Sequence, residues 1–154
     1  MGSKIKLDIK DNIATLKFID SENLNPLNQE TAKELLEELE SLKEKNDVRC
    51  IIIIGSGRAF SAGGDIKLFK SSIENGTSGQ VMDDLTRDLY KIALILRLYP
   101  KPVIAAVNGW AVGAGMNLAL SCDLVIASDK AKFRQSFCKL ALIPGFAGSI
   151  ILSR

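Results

Sequence analysis

The chain has 154 residues, 47% of them apolar and 25% charged, which excludes a disordered protein and supplies enough apolar surface for the core of one domain. Twenty basic against eighteen acidic side chains leave a formal charge of +2, too weak to imply nucleic acid. Histidine is absent, which excludes Ser-His-Asp and Cys-His nucleophiles and the usual zinc sites from this chain.

Residues 4–9 and 13–19 alternate apolar and polar around Asp11-Asn12 and predict a hairpin. A polar loop, DSENLNPLNQ, follows. Over residues 29–45 the positions Ala32, Leu35, Leu36, Leu39 and Leu42 recur at helical spacing, and Thr31-x-x-Glu34 has the spacing of a capping box. Residues 49–54 predict a buried strand that empties into GSGRAFSAGGD, with four glycines in eleven positions. A short helix is expected over 65–73 and an amphipathic helix over 82–98, the latter stopped before Pro100 and Pro102. Residues 103–107 predict another buried strand, then a second glycine cluster, NGWAVGAGMNLALSCD, and a strand over 124–127. Short β-rich runs each followed by a helix argue for an α/β fold with parallel pairing, in one undivided unit over residues 1–154. The stretch GFAGSIILSR reads as a helix barely begun, leaving Phe146, Ile150, Ile151 and Leu152 little to pack on; the chain is expected to be a fragment or to pair with another chain.

Cys50, Cys122 and Cys138 form an odd set without CxxC spacing, each in or beside an apolar run, and read as reduced core thiols. The longest apolar runs fall far short of a membrane span. The N-terminus has neither an apolar signal core nor the sixth-position Ser/Thr of a myristoylation site, so a cytoplasmic protein is expected.

Neither glycine cluster fits a nucleotide fingerprint. Gly55-Ser-Gly57-Arg-Ala-Phe60 places phenylalanine where a third small residue must let helix pack on strand, Gly113-Ala-Gly115-Met-Asn-Leu118 fails in the same way, and neither ends in G-K-[ST]. Each cluster lies beyond a buried strand and opens a helix, so each can aim backbone N–H groups at one spot, and two such donors make an oxyanion hole.

RAFSAGGDI at 58–66, KPVIAAVNGWAVGAGMNLALSCDLVIAS at 101–128, IPGFAG at 143–148 and NPLN at 25–28 together resemble the enoyl-CoA hydratase/isomerase (crotonase) family. The resemblance implies a spiral of ββα units, an acyl-CoA thioester substrate, no cofactor beyond the CoA of that substrate, and a homotrimer or hexamer. It places the oxyanion amides on Gly64 and Ala114. It places the CoA path along Pro26, Leu27, Ala62, Asp65 and Ile66, with the adenine end near Ala62. Asp65 is otherwise read as a helix cap, and Trp110 either walls the acyl pocket or lies in the core.

The chain departs from the family at its acids. The two hydratase glutamates fall on Asn117 and Phe137, and a third position, an aspartate in some isomerases and dehalogenases, falls on Gly145. Adding water across C=C needs a base and an acid, and each such group typically contributes about 10²–10⁴-fold. Asparagine orients water but cannot take its proton. Two readings follow: an acyl-CoA enzyme stabilising a thioester enolate, or a thioester-binding protein with impaired catalysis. Gln135 and Ser136 read as turn residues, Cys138 as a buried thiol, and Asp123 as a local hydrogen-bonding residue.

Overall fold

The computed structural model describes residues 2–153. Asp11 and Asn12 both take left-handed backbone (φ 51° and 63°), as a two-residue turn matched to strand twist requires, and they join β1 (Ile5–Lys10) to β2 (Ile13–Phe18) in antiparallel register. After β3 (Pro26–Leu27) comes α1 (Gln29–Lys43), which buries Ala32, Leu35, Leu39 and Leu42. The expected capping box is not what starts this helix. Asn28 is the cap, its side chain accepting from the Thr31 N–H at 3.0 Å, while Glu34 reaches back to the Lys4 N–H at 2.7 Å and ties the helix to the edge of the hairpin.

The rest of the chain runs β4 (Cys50–Gly55), β5 (Ala59–Ser61), β6 (Gly63–Gly64), α2 (Ile66–Glu74), α3 (Ser78–Arg97), β7 (Val103–Val107), β8 (Trp110–Val112), α4 (Ala114–Ser121), β9 (Leu124–Ala127), β10 (Lys132–Arg134), a 3₁₀ helix over Phe137–Leu140, and α5 (Gly148–Ile151). The main sheet has the order β1-β2-β4-β7-β9, parallel from β2 onward. A second sheet, β10-β8-β5, is parallel throughout, and β3 pairs with β6. The chain thus repeats one pattern. β4, β7 and β9 each enter the main sheet, and the strands after them, β5, β8 and β10, enter the second sheet before the next helical segment. This is the expected α/β architecture of ββα units, repeating in structure where the sequence carries no clean repeat.

The core lies between the main sheet and α1, α3 and α4, and includes Leu16, Phe18, Leu35, Leu39, Ile51, Ile53, Ile92 and Leu96. Phe18 meets Phe60 edge-on at 6.1 Å between ring centroids, which joins the main sheet to the second one. Full burial of each such side chain stabilises the fold by about 1.5–3 kcal/mol.

Two expectations are corrected, at Phe146 and Cys138. Phe146 is buried within the core, because the segment leading into α5 packs against α4; Ile151 is half-buried, and Ile150 and Leu152 are exposed as expected. β9 is the strand expected over 124–127; it forms the sheet edge, and all four of its side chains are exposed. Cys138 is exposed rather than buried, since its 3₁₀ turn buries none of its residues, whereas burial pushes the Cys122 thiol up to about 12. No helix among the described residues is long and apolar enough to cross a membrane.

Candidate active site

The two glycine clusters meet. Gly63 has left-handed backbone (φ +82°), and a Cβ there would fall 2.5 Å from the Val112 carbonyl oxygen and 3.2 Å from the Ala114 nitrogen. A Cβ on Gly115 would fall 2.5 Å from the Ser61 carbonyl oxygen. Only glycine permits an approach this close, so β6 and the start of α4 lie backbone against backbone.

Side chains from elsewhere hold this junction. Buried Asn25 donates from Nδ2 to the carbonyls of Ser56 (3.0 Å) and Ala59 (2.9 Å), and its own carbonyl accepts from Ser61 Oγ at 2.7 Å. Ser61 Oγ in turn accepts from the Gly63 N–H at 3.1 Å. Asn108 accepts from the Gly55 N–H at 3.1 Å and donates to the Gly57 carbonyl at 3.0 Å. The glycine loop therefore has its backbone groups satisfied by two asparagines that sequence reasoning did not single out. One signal was available, in that Asn25 opens NPLN and Asn108 opens NGWAVGAGMNLALSCD.

A cavity of about 510 Å³ opens beside the junction, bounded by α2, α3, the 3₁₀ helix and the loop 142–146. Its wall is largely apolar, with Phe69, Leu85, Leu89, Leu142 and Phe146 among the lining residues. Gly64 and Ala114 both line it. Ala114 is the first residue of α4, where an N–H has no intrahelical acceptor, and no other acceptor meets it among the described residues. The polar side chains on the wall are Thr86, Tyr90, Ser136 and Lys139, and no carboxylate is among them. Pockets of this size and character suit a mostly apolar small-molecule group oriented by a few polar contacts.

Of the other expected site residues, Ala62, Ile66 and Phe137 line this cavity. The Phe137 ring is half-buried and lies in van der Waals reach of the space beside Gly113, the glycine whose left-handed backbone (φ +53°) turns the chain into α4. Pro26 and Leu27 do not line it: both are buried in β3, paired with Gly63 and Gly64, and so support β6 from behind. Asp65 caps α2, accepting from the Lys67 and Leu68 N–H groups at 3.0 and 3.1 Å, so its carboxylate is engaged in the helix start. Trp110 is neither pocket wall nor core. It stands 38% exposed on β8, with the Lys132 ammonium 4.9 Å from its ring centroid.

Asn117 departs furthest from expectation, because it does not reach the cavity. It is fully buried on the first turn of α4, donates from Nδ2 to the Gly145 carbonyl at 2.7 Å, and accepts from Gln135 Nε2. Gln135 is thus a partner inside the fold rather than a turn residue. Asp123 accepts from the Val103 N–H at 2.8 Å, the local role expected of it.

Comparison with known proteins agrees with this architecture. The sequence profile of the family described as enoyl-CoA hydratase/isomerase matches residues 8–154. The chain is 37% identical over 146 residues to the 1,2-epoxyphenylacetyl-CoA isomerase of Escherichia coli, covering 95% of this chain and 55% of that protein. It is 35% identical over 153 residues to the short-chain-enoyl-CoA hydratase of Clostridium acetobutylicum, covering 99% of this chain and 57% of that one. The crystal structure of an enoyl-CoA hydratase from Polaromonas sp. JS666 superposes with a TM-score of 0.91 at 33% identity, over 97% of this chain and 58% of the other. The chain therefore spans a little over half the length of the relatives it matches. With the profile matched across almost the whole sequence and the fold shared with solved members, the chain belongs to the enoyl-CoA hydratase/isomerase family.

Proposed function

We propose that the protein binds an acyl-CoA thioester with its carbonyl oxygen between the N–H groups of Gly64 and Ala114, and that these amides stabilise the enolate formed when the α-carbon loses a proton. One observation carries the reading. The two amide-bearing residues come from separate ββα units, yet they line the same apolar cavity, and glycines with no room for a Cβ hold their segments together. Preorganised donors of this kind act where charge develops, in surroundings drier than bulk water, and each is worth about 10²–10³ in turnover. In this reading the CoA moiety passes Ala62 and Ile66, the acyl group lies between α2 and α3, and no cofactor is needed beyond the CoA of the substrate.

In this reading the described residues supply the hole, and the cavity wall carries no carboxylate for the proton transfer. Phe137 stands at one family acid position, and Asn117, at the other, is engaged inside the fold. This favours an enolate reaction whose acid or base comes from outside residues 2–153, and it also supports the second reading, a thioester-binding protein with impaired hydration. A trimer or hexamer is part of the proposal, supported by the exposed Leu124 and Ile126 on the β9 edge. Sedimentation showing a monomer at high concentration would count against the assembly.

The test is titration with acetyl-CoA and crotonyl-CoA while the amide signals of Gly64 and Ala114 are followed by NMR, together with a turnover screen over acyl-, enoyl- and dienoyl-CoA esters. Binding shifts both signals. A folded protein in which neither moves across the whole panel refutes the reading. Binding without turnover selects the second reading.

A further inference from the structure

The side chain at position 117 points to a role that the family's acid does not have. It is completely buried, and both ends of its carboxamide are committed: Nδ2 to the Gly145 carbonyl at 2.7 Å, and Oδ1 to Gln135 Nε2. The orientations are forced. Gly145 offers only an acceptor, so Nδ2 must face it, Oδ1 must then accept, and Gln135 must present its NH₂. The space is closed as well, because a Cβ on Gly148 would fall 2.1 Å from Asn117 Nδ2, so α5 packs directly on the carboxamide.

Three segments meet at this pair. Asn117 belongs to the first turn of α4, which begins with Ala114. Gln135 is followed directly by Ser136 and Phe137, and Gly145 by Phe146, and all of these except Gln135 and Asn117 line the cavity. The pair also leaves Gln135 Oε1 buried without a donor. An orphaned buried acceptor lowers stability, and apolar side chains of the same shape would avoid that cost. An amide pair retained in such a place specifies a register that apolar packing would leave loose.

We propose that Asn117 is a positioning residue: with Gln135 it forms a buried relay that holds the Phe137 and Gly145–Phe146 walls at a fixed offset from the Ala114 N–H, and so sets where the reacting carbons of a bound ester lie. This rests on the reading that the ester carbonyl sits at Gly64 and Ala114. An offset of this kind acts on the transition state more than on binding, because a small misplacement of reacting atoms slows chemistry steeply while the rest of the ligand keeps its contacts.

The experiment uses Asn117→Leu, which keeps the volume and removes both hydrogen bonds; Asn117→Asp, which as a carboxylate keeps the shape and loses the donor; Gln135→Met; and the double variant Asn117→Leu/Gln135→Met. Folding is checked by thermal melting. The Gly145 carbonyl carbon is followed by NMR, and kcat and KM are measured with the best ester of the screen. In folded Asn117→Leu the Gly145 carbonyl signal moves upfield, kcat falls about tenfold, and KM stays within about twofold. The double variant is no slower than Asn117→Leu, because the two groups act as one unit. If Asn117→Leu does not fold, the same kcat–KM split is read from Gln135→Met. An unmoved Gly145 carbonyl, a wild-type kcat in folded variants, or a rise in kcat for Asn117→Asp overturns the proposal, the last by showing that the side chain meets the substrate. If the wild type moves neither the Gly64 nor the Ala114 signal with any ester, the acyl-CoA reading falls; if it binds an ester without turning it over, the second reading stands; in both cases the Gly145 shift alone then decides the relay, moved supporting it and unmoved overturning it.

Discussion

The cavity has two sides of different construction. The side carrying Gly64 and Ala114 is made of backbone, and what it needs from the sequence is the absence of side-chain atoms at Gly63 and Gly115. The side carrying Phe137, Gly145 and Phe146 is made of side chains and one loop, and what it needs is particular groups in particular places. The two sides therefore respond to different substitutions. A backbone donor persists through any substitution that leaves the close approach intact, whereas a carboxylate is gone with one codon. In this chain the first side has its glycines in place, and the second has no carboxylate among its lining residues.

The largest effect is expected from breaking the backbone side at its donor. Gly64→Pro removes one N–H and should lower enolate-forming turnover by about 10²–10³, measured as kcat/KM. A Cβ there comes 2.8 Å from the Phe69 ring, so the melting temperature must be compared first. A folded variant with unchanged turnover would place the hole elsewhere. Breaking the same side at its packing comes next. Gly115→Ala drives a Cβ to 2.5 Å from the Ser61 carbonyl oxygen and should cost about 1–3 kcal/mol in denaturant unfolding, although no chemical group is lost. A variant as stable as wild type would show that the junction yields easily.

The side-chain half is sharpened by giving it back an acid. Phe137 lines the cavity, so Phe137→Glu should raise crotonyl-CoA hydration by about tenfold over a very slow wild type. Asn117→Glu should add nothing and should lower the melting temperature, because Gly148 packs against the shorter amide and leaves no room. Brisk hydration by the wild type, or a gain from Asn117→Glu alone, would reverse this assignment.

The smallest effect concerns the three thiols, none of which lines the cavity. Iodoacetamide should label exposed Cys138 first, half-buried Cys50 more slowly, and Cys122 only on unfolding. Burial raises the Cys122 thiol from 9.0 to about 12, with the Asp123 carboxylate adding to the shift. Its folded value lies above its unfolded one, so its contribution to stability is complete below about pH 9 and is lost as pH rises toward 12. Alkaline unfolding should therefore be shallower in Cys122→Ala than in wild type, and identical slopes would assign the alkaline loss to other groups.

Apolar patterning over four or more residues was enough for most of the longer elements, although α3 begins at Ser78 rather than at the expected 82. The hairpin, α1, β4, β7 and β9 fall within a residue or two of the expected places, and Asp11-Asn12 marked its turn correctly. What failed was shorter or fell outside any pattern. β3, β5, β6, β8 and β10 have two or three residues each, some of them glycine, and no alternation can be read from so few positions. They form because the longer strands on either side have already brought their backbones into line.

The sequence by itself determined the fold class, the family and the two segments that meet at the site, because glycine clusters after apolar strands constrain backbone wherever they occur. Gly64 and Ala114, which stand in those two segments, both line the cavity. The fate of individual polar side chains was decided only by tertiary structure. Asn117 was expected to face the substrate and instead faces Gly145; Trp110 was expected in the wall or the core and lies on the surface; Asn25 and Asn108 drew no attention and hold the glycine loop. The hydrogen-bond partners of these asparagines lie 18 to 53 residues away, and which distant group arrives opposite an amide is set by how the units stack, which no local pattern encodes.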